Sequence, residues 1–157
     1  VAAQLLEAGC KRPLIVTDKA LAALPVLAEF KTHLAGLDVA VFSGVFGNPT
    51  CSQVMDGAAA YQAHQADCVI GFGGGAALDV AKVVGIAATH EGDILEYVWD
   101  HPQVRPIVNA ALFCGVAHHL GHGLGSRPLQ CGQRKRHPLE ARGVQPQNSG
   151  QGGVCRP

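Results

Sequence analysis

The chain has 157 residues, room for one domain with a real core, and its 48% apolar and 15% charged content is that of a globular protein. The formal net charge is zero but unevenly placed: residues 1–125 carry six Lys/Arg against eleven Asp/Glu (net −5), and residues 126–157 carry six against one (net +5). That switch marks a compositional boundary near Gly125, and the basic run Arg134-Lys135-Arg136 has no interleaved aromatics, so no nucleic-acid partner is expected.

Residues 1–8 read as the end of a helix with Gly9 as its C′ residue. Pro13-Leu14-Ile15-Val16-Thr17 follows as a short buried strand, and Asp18 sits at the strand-to-helix junction as an N-cap. From Ala20 to about His33, apolar residues recur at helical spacing, with Pro25 either starting the helix or breaking it. Gly36 closes that segment, and Asp38 to Phe42 makes a second strand. Ser43 to Thr50 has no internal period and reads as a loop. Ser52 to His64 is a third helix and Asp67 to Gly71 a third strand.

That strand runs into Gly71-Phe72-Gly73-Gly74-Gly75, and an alanine-rich helical pattern over Ala76 to about Thr89 starts at once. Adjacent glycines remove side chains from the turn, so a ligand can approach its backbone closely. The helix that follows would aim its free N–H groups and positive dipole end at the same place, which suits a pyrophosphate. A tight loop required by the fold alone is the competing reading. The string is neither G-x-G-x-x-G in its usual register nor a Walker A, since no Gly-Lys-Ser/Thr follows. Asp79 and Lys82 lie three apart on the helix, close enough for a weak exposed pair.

Strands that are continuous apolar runs, alternating with helices through short connections, predict right-handed βαβ units on a parallel sheet. Beyond Gly92, Ile94 to Trp99 reads as one short helical turn, and Arg105-Pro106-Ile107-Val108 as the start of another strand. The texture then changes. Asn109 to Leu124 reads as a helix, and residues 126–157, with five Gly, four Pro and almost no periodicity, as a disordered tail. The six cysteines include no C-x-x-C pair, so neither a disulfide framework nor a zinc knuckle is expected. With no signal peptide and no apolar run near a span's length, a soluble cytoplasmic protein without a membrane partner is the expectation. The start at Val1 suggests a fragment or a processed product.

Three motifs in order carry a family resemblance: Pro13-Leu14-Ile15-Val16-Thr17-Asp18-Lys19, Val41 to Val45 through Asn48-Pro49-Thr50, and Gly73 to Lys82. Together, over about residues 5–107, they resemble the N-terminal domain of the iron-containing (group III) alcohol dehydrogenases. The resemblance implies a Rossmann-like parallel sheet with flanking helices that binds NAD or NADP, followed by an all-helical domain. A divalent metal in that second domain, Fe2+ or Zn2+, holds the alcohol oxygen while hydride passes to the nicotinamide. The implied partner is a small alcohol or aldehyde, in a possible homo-oligomer. Carried over by position, Gly73, Gly74 and Gly75 embrace the pyrophosphate, with Ala76 and Asp79 on the helix behind and Asn48 and Thr50 on the preceding loop. Ser43 stands where the family usually has an aspartate for the adenosine ribose, and Ala76 replaces a serine.

Cys114 to Gly125 resembles the family's H-x-x-x-H-x-x-G metal helix, which makes His118 a metal ligand and His122 an active-site histidine by resemblance. Residues four apart on a helix share a face. The departures are large: the family's further ligand histidine falls at Gly132 here, the nearest histidine is His137, and the D-x-x-x-H and T-x-x-x-G-T-G-S segments are missing. The expected organisation is therefore a dinucleotide-binding α/β domain over residues 1–107, a short helical remnant of the metal domain over 108–125, and a low-order basic tail over 126–157. A deleted central block with a frame lost after Gly125 would explain it. The expected function is NAD(P)-linked alcohol oxidation impaired by missing ligands. The alternatives are a non-catalytic dinucleotide-binding module and an inactive structural fragment.

Overall fold

A computed structural model describes residues 1–97 and 101–118. In chain order the elements are α1 (Ala2–Glu7), β1 (Pro13–Asp18), α2 (Lys19–Ala22), α3 (Pro25–Thr32), β2 (Ala40–Val45), α4 (Cys51–His64), β3 (Cys68–Gly73), α5 (Gly75–Ala87), a 3-10 turn (Ile94–Tyr97) and β4 (Leu112–Ala117). The four strands form one parallel sheet in the order β2-β1-β3-β4. Consecutive strands lie to opposite sides of β1, so the order reverses between β1 and β3. Ligands of open α/β sheets bind at the carboxyl ends of the strands beside such a reversal.

The strands are apolar without interruption because both faces of the sheet are covered. Leu14, Val16 and Val69 point to the face packed by α4 and α5, where Val54, Val80 and Val84 are buried. Ile15, Ile70 and Phe72 point to the other face, against Leu5 of α1 and Leu27 and Phe30 of α3. Phe30 and Phe72 pack in a tilted arrangement with 4.9 Å between ring centroids. Pro25 stands in the first turn of α3, where its missing N–H leaves no helical bond unmade, so the chain breaks between α2 and α3 there. Gly9 has φ +83, the left-handed conformation expected just past a helix end. Asp18 caps α2 by accepting from the Leu21 N–H at 2.8 Å.

Three expectations are corrected. The second strand runs Ala40–Val45 rather than 38–42, so Ser43 to Val45 belong to the sheet and not to a loop. Its extension is fixed by pairing: Asp18 at the end of β1 lies opposite Val45. Arg105 to Val108 form no strand. The Arg105 guanidinium is instead tied to the Glu91 carbonyl (2.7 Å) and to Glu96 (2.9 Å), and the Val108 N–H donates to the His90 ring at 2.8 Å. The 3-10 turn itself, Ile94–Tyr97, falls where a helical turn was expected.

The third correction matters most for function. Within the 109–124 stretch expected to be helical, Leu112–Ala117 is a strand that pairs with β3 along its whole length, from Cys68↔Leu112 to Gly73↔Ala117. Without it the outer edge of β3 would present unpaired backbone N–H and C=O groups, and satisfying them outweighs a weak local helical preference. Gly71 and Gly115 face each other in this register, and the room they leave is filled by Phe113 and Leu78: a Cβ on Gly71 would stand 3.1 Å from each. Residues 119–157, with the expected tail and the rest of the helical remnant, lie outside the described residues. Among the described residues no helix is long and apolar enough to cross a membrane.

Candidate functional site

The carboxyl ends of β1, β3 and β4 bring together Asp18, Gly73 and His118. Gly73 ends β3 with φ +141, a conformation that side chains rarely adopt, and a Cβ there would meet Leu21 Cδ1 at 2.9 Å and Ala77 Cβ at 3.2 Å. The fold itself therefore requires glycine at 73. Gly74 and Gly75 differ. Gly74, the N-cap of α5, has φ −78 and ψ −175, which any residue can adopt, and a Cβ on either glycine would meet nothing within 4 Å. Two of the three glycines thus keep side chains out of space that the described residues leave open.

That space faces the start of α5, a thirteen-residue helix with no side chain hydrogen-bonded at its N-cap. Its first-turn N–H groups and positive dipole end favour negative charge there. Ala76 is half-buried in the first turn, and Asp79 lies one turn on, exposed and 3.2 Å from Lys82. As a solvent-exposed pair it contributes little to stability. Asp18 approaches the turn from β1: its Oδ2 is 3.6 Å from where a Gly73 Cβ would stand, while its Oδ1 caps Leu21. From sequence Asp18 was legible only as a cap. Its place beside the glycines follows from β1 and β3 being sheet neighbours.

Ser43 is half-buried within β2, the strand beyond β1. Asn48 and Thr50 are exposed on the next connection, where Thr50 is the N-cap of α4 and accepts from the Gln53 N–H at 3.3 Å. Gln53, which sequence reasoning passed over, is 2% exposed and holds the loop by donating to the Phe46 and Asn48 carbonyls at 2.8 and 3.4 Å. The Thr-x-x-Gln spacing of a capping box was the available signal. Pro49 and Thr50 also border an open apolar hollow of about 180 Å³ lined by Val54, Val83 and Ile94.

His118 follows β4 and is not on a helix. Its N–H donates to the Gly73 carbonyl at 2.9 Å, and its ring stacks on Phe72 with 6.0 Å between centroids and 8° between planes. Among the described residues no two further Cys, His, Asp or Glu side chains gather with it as ligands. The iron implied by the family therefore finds no fitting donor set in the described residues, and His122 lies outside them.

Comparison with known proteins sets this geometry in context. The chain is 42% identical over 103 residues to the 1,3-propanediol dehydrogenase of Klebsiella pneumoniae, covering 63% of this chain and 27% of that one. It is also 42% identical over 89 residues to the 4-hydroxybutyrate dehydrogenase of Cupriavidus necator, 57% of this chain and 23% of the other. Among solved structures, a 1,3-propanediol oxidoreductase superposes with a TM-score of 0.66 at 35% identity, covering 74% of this chain and 30% of that one. The chain thus spans about a quarter of the length of the curated relatives it matches. The sequence profile described as iron-containing alcohol dehydrogenase matches residues 1–117, from α1 through the last residue of β4. On that match, which takes in every described strand of the sheet, the chain belongs to the iron-containing alcohol dehydrogenase family.

Proposed function

We propose that this chain binds NAD or NADP at the Gly73-Gly74-Gly75 turn, as the dinucleotide-binding part of a family whose reaction is NAD(P)-linked alcohol oxidation. The observation that carries the reading is the pair Gly74 and Gly75, whose missing side chains the fold does not need. In this reading the N–H groups at the start of α5 hold the pyrophosphate, with the helix dipole favouring its charge. Ala76 leaves the first turn without a hydroxyl but keeps its backbone donor. Asp79, Asn48 and Thr50 border the bound cofactor. Ser43 meets the adenosine ribose. A carboxylate there would accept from two hydroxyls and repel a 2′-phosphate, whereas serine does neither strongly, so this position sets no preference between NAD and NADP. When bound, the nicotinamide supplies the hydride acceptor for an alcohol.

The substrate class suggested by the relatives' names is a short alcohol with a polar group at its far end, such as 1,3-propanediol or 4-hydroxybutyrate. The roles of His118 as metal ligand and His122 as active-site histidine rest on the resemblance of residues 114–125. A catalytic ion takes three or four donors, and among the described residues no group of three forms around His118, so no step runs through a metal. Dinucleotide binding without turnover is the second reading, favoured by His118 directly following a strand rather than standing on a helix.

Calorimetry with NAD+ and NADP+ on the parent and on Gly74→Val tests the proposal. Saturable heat in the parent, abolished in G74V while the variant remains folded, is expected. Absence of saturable heat with either dinucleotide at millimolar concentration overturns it.

A further inference from the structure

At the other end of the sheet, Cys10, Asp67 and Cys68 bring two thiol sulfurs and a carboxylate oxygen within 4.8 Å of one another. The two cysteines are 58 positions apart in sequence and meet because the segment before β1 runs beside the start of β3. Both are buried, at 5% and 1% exposure, while Asp67 opens to solvent. A six-residue strand separates this cluster from the glycine turn, a distance of roughly 17 Å. The cluster is therefore independent of the dinucleotide site.

We propose that Cys10, Cys68 and Asp67 form a binding site for a thiophilic divalent ion, with Zn2+ as the expected occupant and water completing the coordination. Two thiolates with one carboxylate are a borderline-soft donor set, which suits Zn2+ and disfavours Mg2+ or Ca2+. Donors on tetrahedral zinc at about 2.3 Å stand roughly 3.8 Å apart, so the cluster closes on an ion by shifts of about an ångström. Asp67 is already oriented. Its oxygens accept from the Lys11 N–H at 2.6 Å and the Arg12 N–H at 3.0 and 3.1 Å, and a carboxylate has lone pairs left for a metal. Those bonds hold the carboxylate in a fixed orientation.

An incoming M2+ displaces the two thiol protons: M2+ plus two thiols and a carboxylate gives the bound ion and two H+, with no change of oxidation state. The residual single negative charge lies beside the backbone N–H groups of Lys11 and Arg12 that already bind Asp67. The bound ion would tie the segment between α1 and β1 to the first residue of β3.

The test uses the full chain under reducing conditions, with Cys51, Cys131 and Cys155 replaced by serine so that the exposed and C-terminal thiols do not compete. Co2+ titration should give one ion per chain, with a thiolate-to-cobalt charge-transfer band, two protons released, and displacement by Zn2+. The band should disappear in Cys10→Ser and in Cys68→Ser, and Asp67→Asn should weaken binding while keeping it. X-ray absorption of the zinc-loaded parent should show two sulfur neighbours, a readout that survives if either cysteine variant fails to fold. A zinc shell without sulfur, or a charge-transfer band that persists in both cysteine variants, overturns the proposal. So does a parent that shows no band and no Zn2+ uptake.

Discussion

The backbone N–H of His118 donates to the carbonyl of Gly73 across 2.9 Å, so the residue after β4 is clamped to the first glycine of the turn. With the Phe72 and His118 rings parallel beside it, the carboxyl ends of β3 and β4 form one unit. The turn's three glycines sit in that unit with different duties, and substitution should separate them.

Gly73→Ala should destabilise the fold by about 1–3 kcal/mol, because its backbone is in a region side chains rarely adopt and its Cβ would press on Leu21. Gly74→Val should cost at most about 1 kcal/mol, the difference between glycine and valine at a helix N-cap. Dinucleotide binding should be lost in G74V all the same. Urea melts and calorimetry on the two variants give the comparison. Equal destabilisation in both would mean that the glycines serve only the loop.

The strand at Leu112–Ala117 makes a prediction opposite to that of a helix there. In a helix interior Gly115→Ala stabilises by about 1 kcal/mol. On β4 the new Cβ would sit 3.3 Å from the Phe113 ring and 3.5 Å from Leu78, so no gain is expected. Across the ladder, Gly71→Ala is tighter, with Ala81, Leu78 and Phe113 at 3.0–3.1 Å, and should lose about 1–3 kcal/mol to overpacking. Denaturant midpoints rank the two. A clear stabilisation in G115A would return the segment to a helix.

These positions also show how far the sequence was legible. Uninterrupted apolar runs such as Leu14-Ile15-Val16 and Val69-Ile70 announce a doubly covered parallel sheet, and Gly9, Asp18 and Pro25 each carry a local rule that holds in three dimensions. β4 was not legible, because Leu112 to Ala117 has no decisive period and its structure is set by the free edge of β3, a non-local partner. The same limit hid the meeting of Cys10 with Cys68, which depends on strand order and not on spacing. Within the candidate site the glycines were legible by type. That Gly73 serves the fold while Gly74 and Gly75 leave space open appears only when their surroundings are known.

Stability should also fall at alkaline pH through Tyr61. Burial first, then the charges of Cys68, Asp67 and Cys10, raise its folded pKa from 10.0 to about 12. The folded state thus holds its proton more tightly than the unfolded chain does. The associated stability is fully present below pH 10 and is lost as pH rises from about 10 to 12. Cys68 shifts in the same direction and adds to the loss. Urea denaturation of the parent and of Tyr61→Phe, compared between pH 8 and pH 11, isolates the tyrosine. The stability difference between the two proteins should shift toward Y61F at the higher pH, and a constant difference would remove Tyr61 from the account.

Catalysis is where the chain should fall short of its longer relatives. His118 lies at a strand end against Phe72, and among the described residues no set of further ligands surrounds it. A single imidazole holds a divalent ion loosely, because a catalytic ion normally takes three or four protein donors. Alcohol-dependent NADH or NADPH formation by apo, Fe2+-loaded and Zn2+-loaded chain should therefore stay at background with 1,3-propanediol and 4-hydroxybutyrate. His118→Ala should behave as the parent does. Dinucleotide binding measured on the same samples keeps a silent assay from being mistaken for an unfolded protein. Robust metal-dependent turnover lost in H118A would show that residues beyond 118, His122 among them, or a second copy of the chain complete the ligand set.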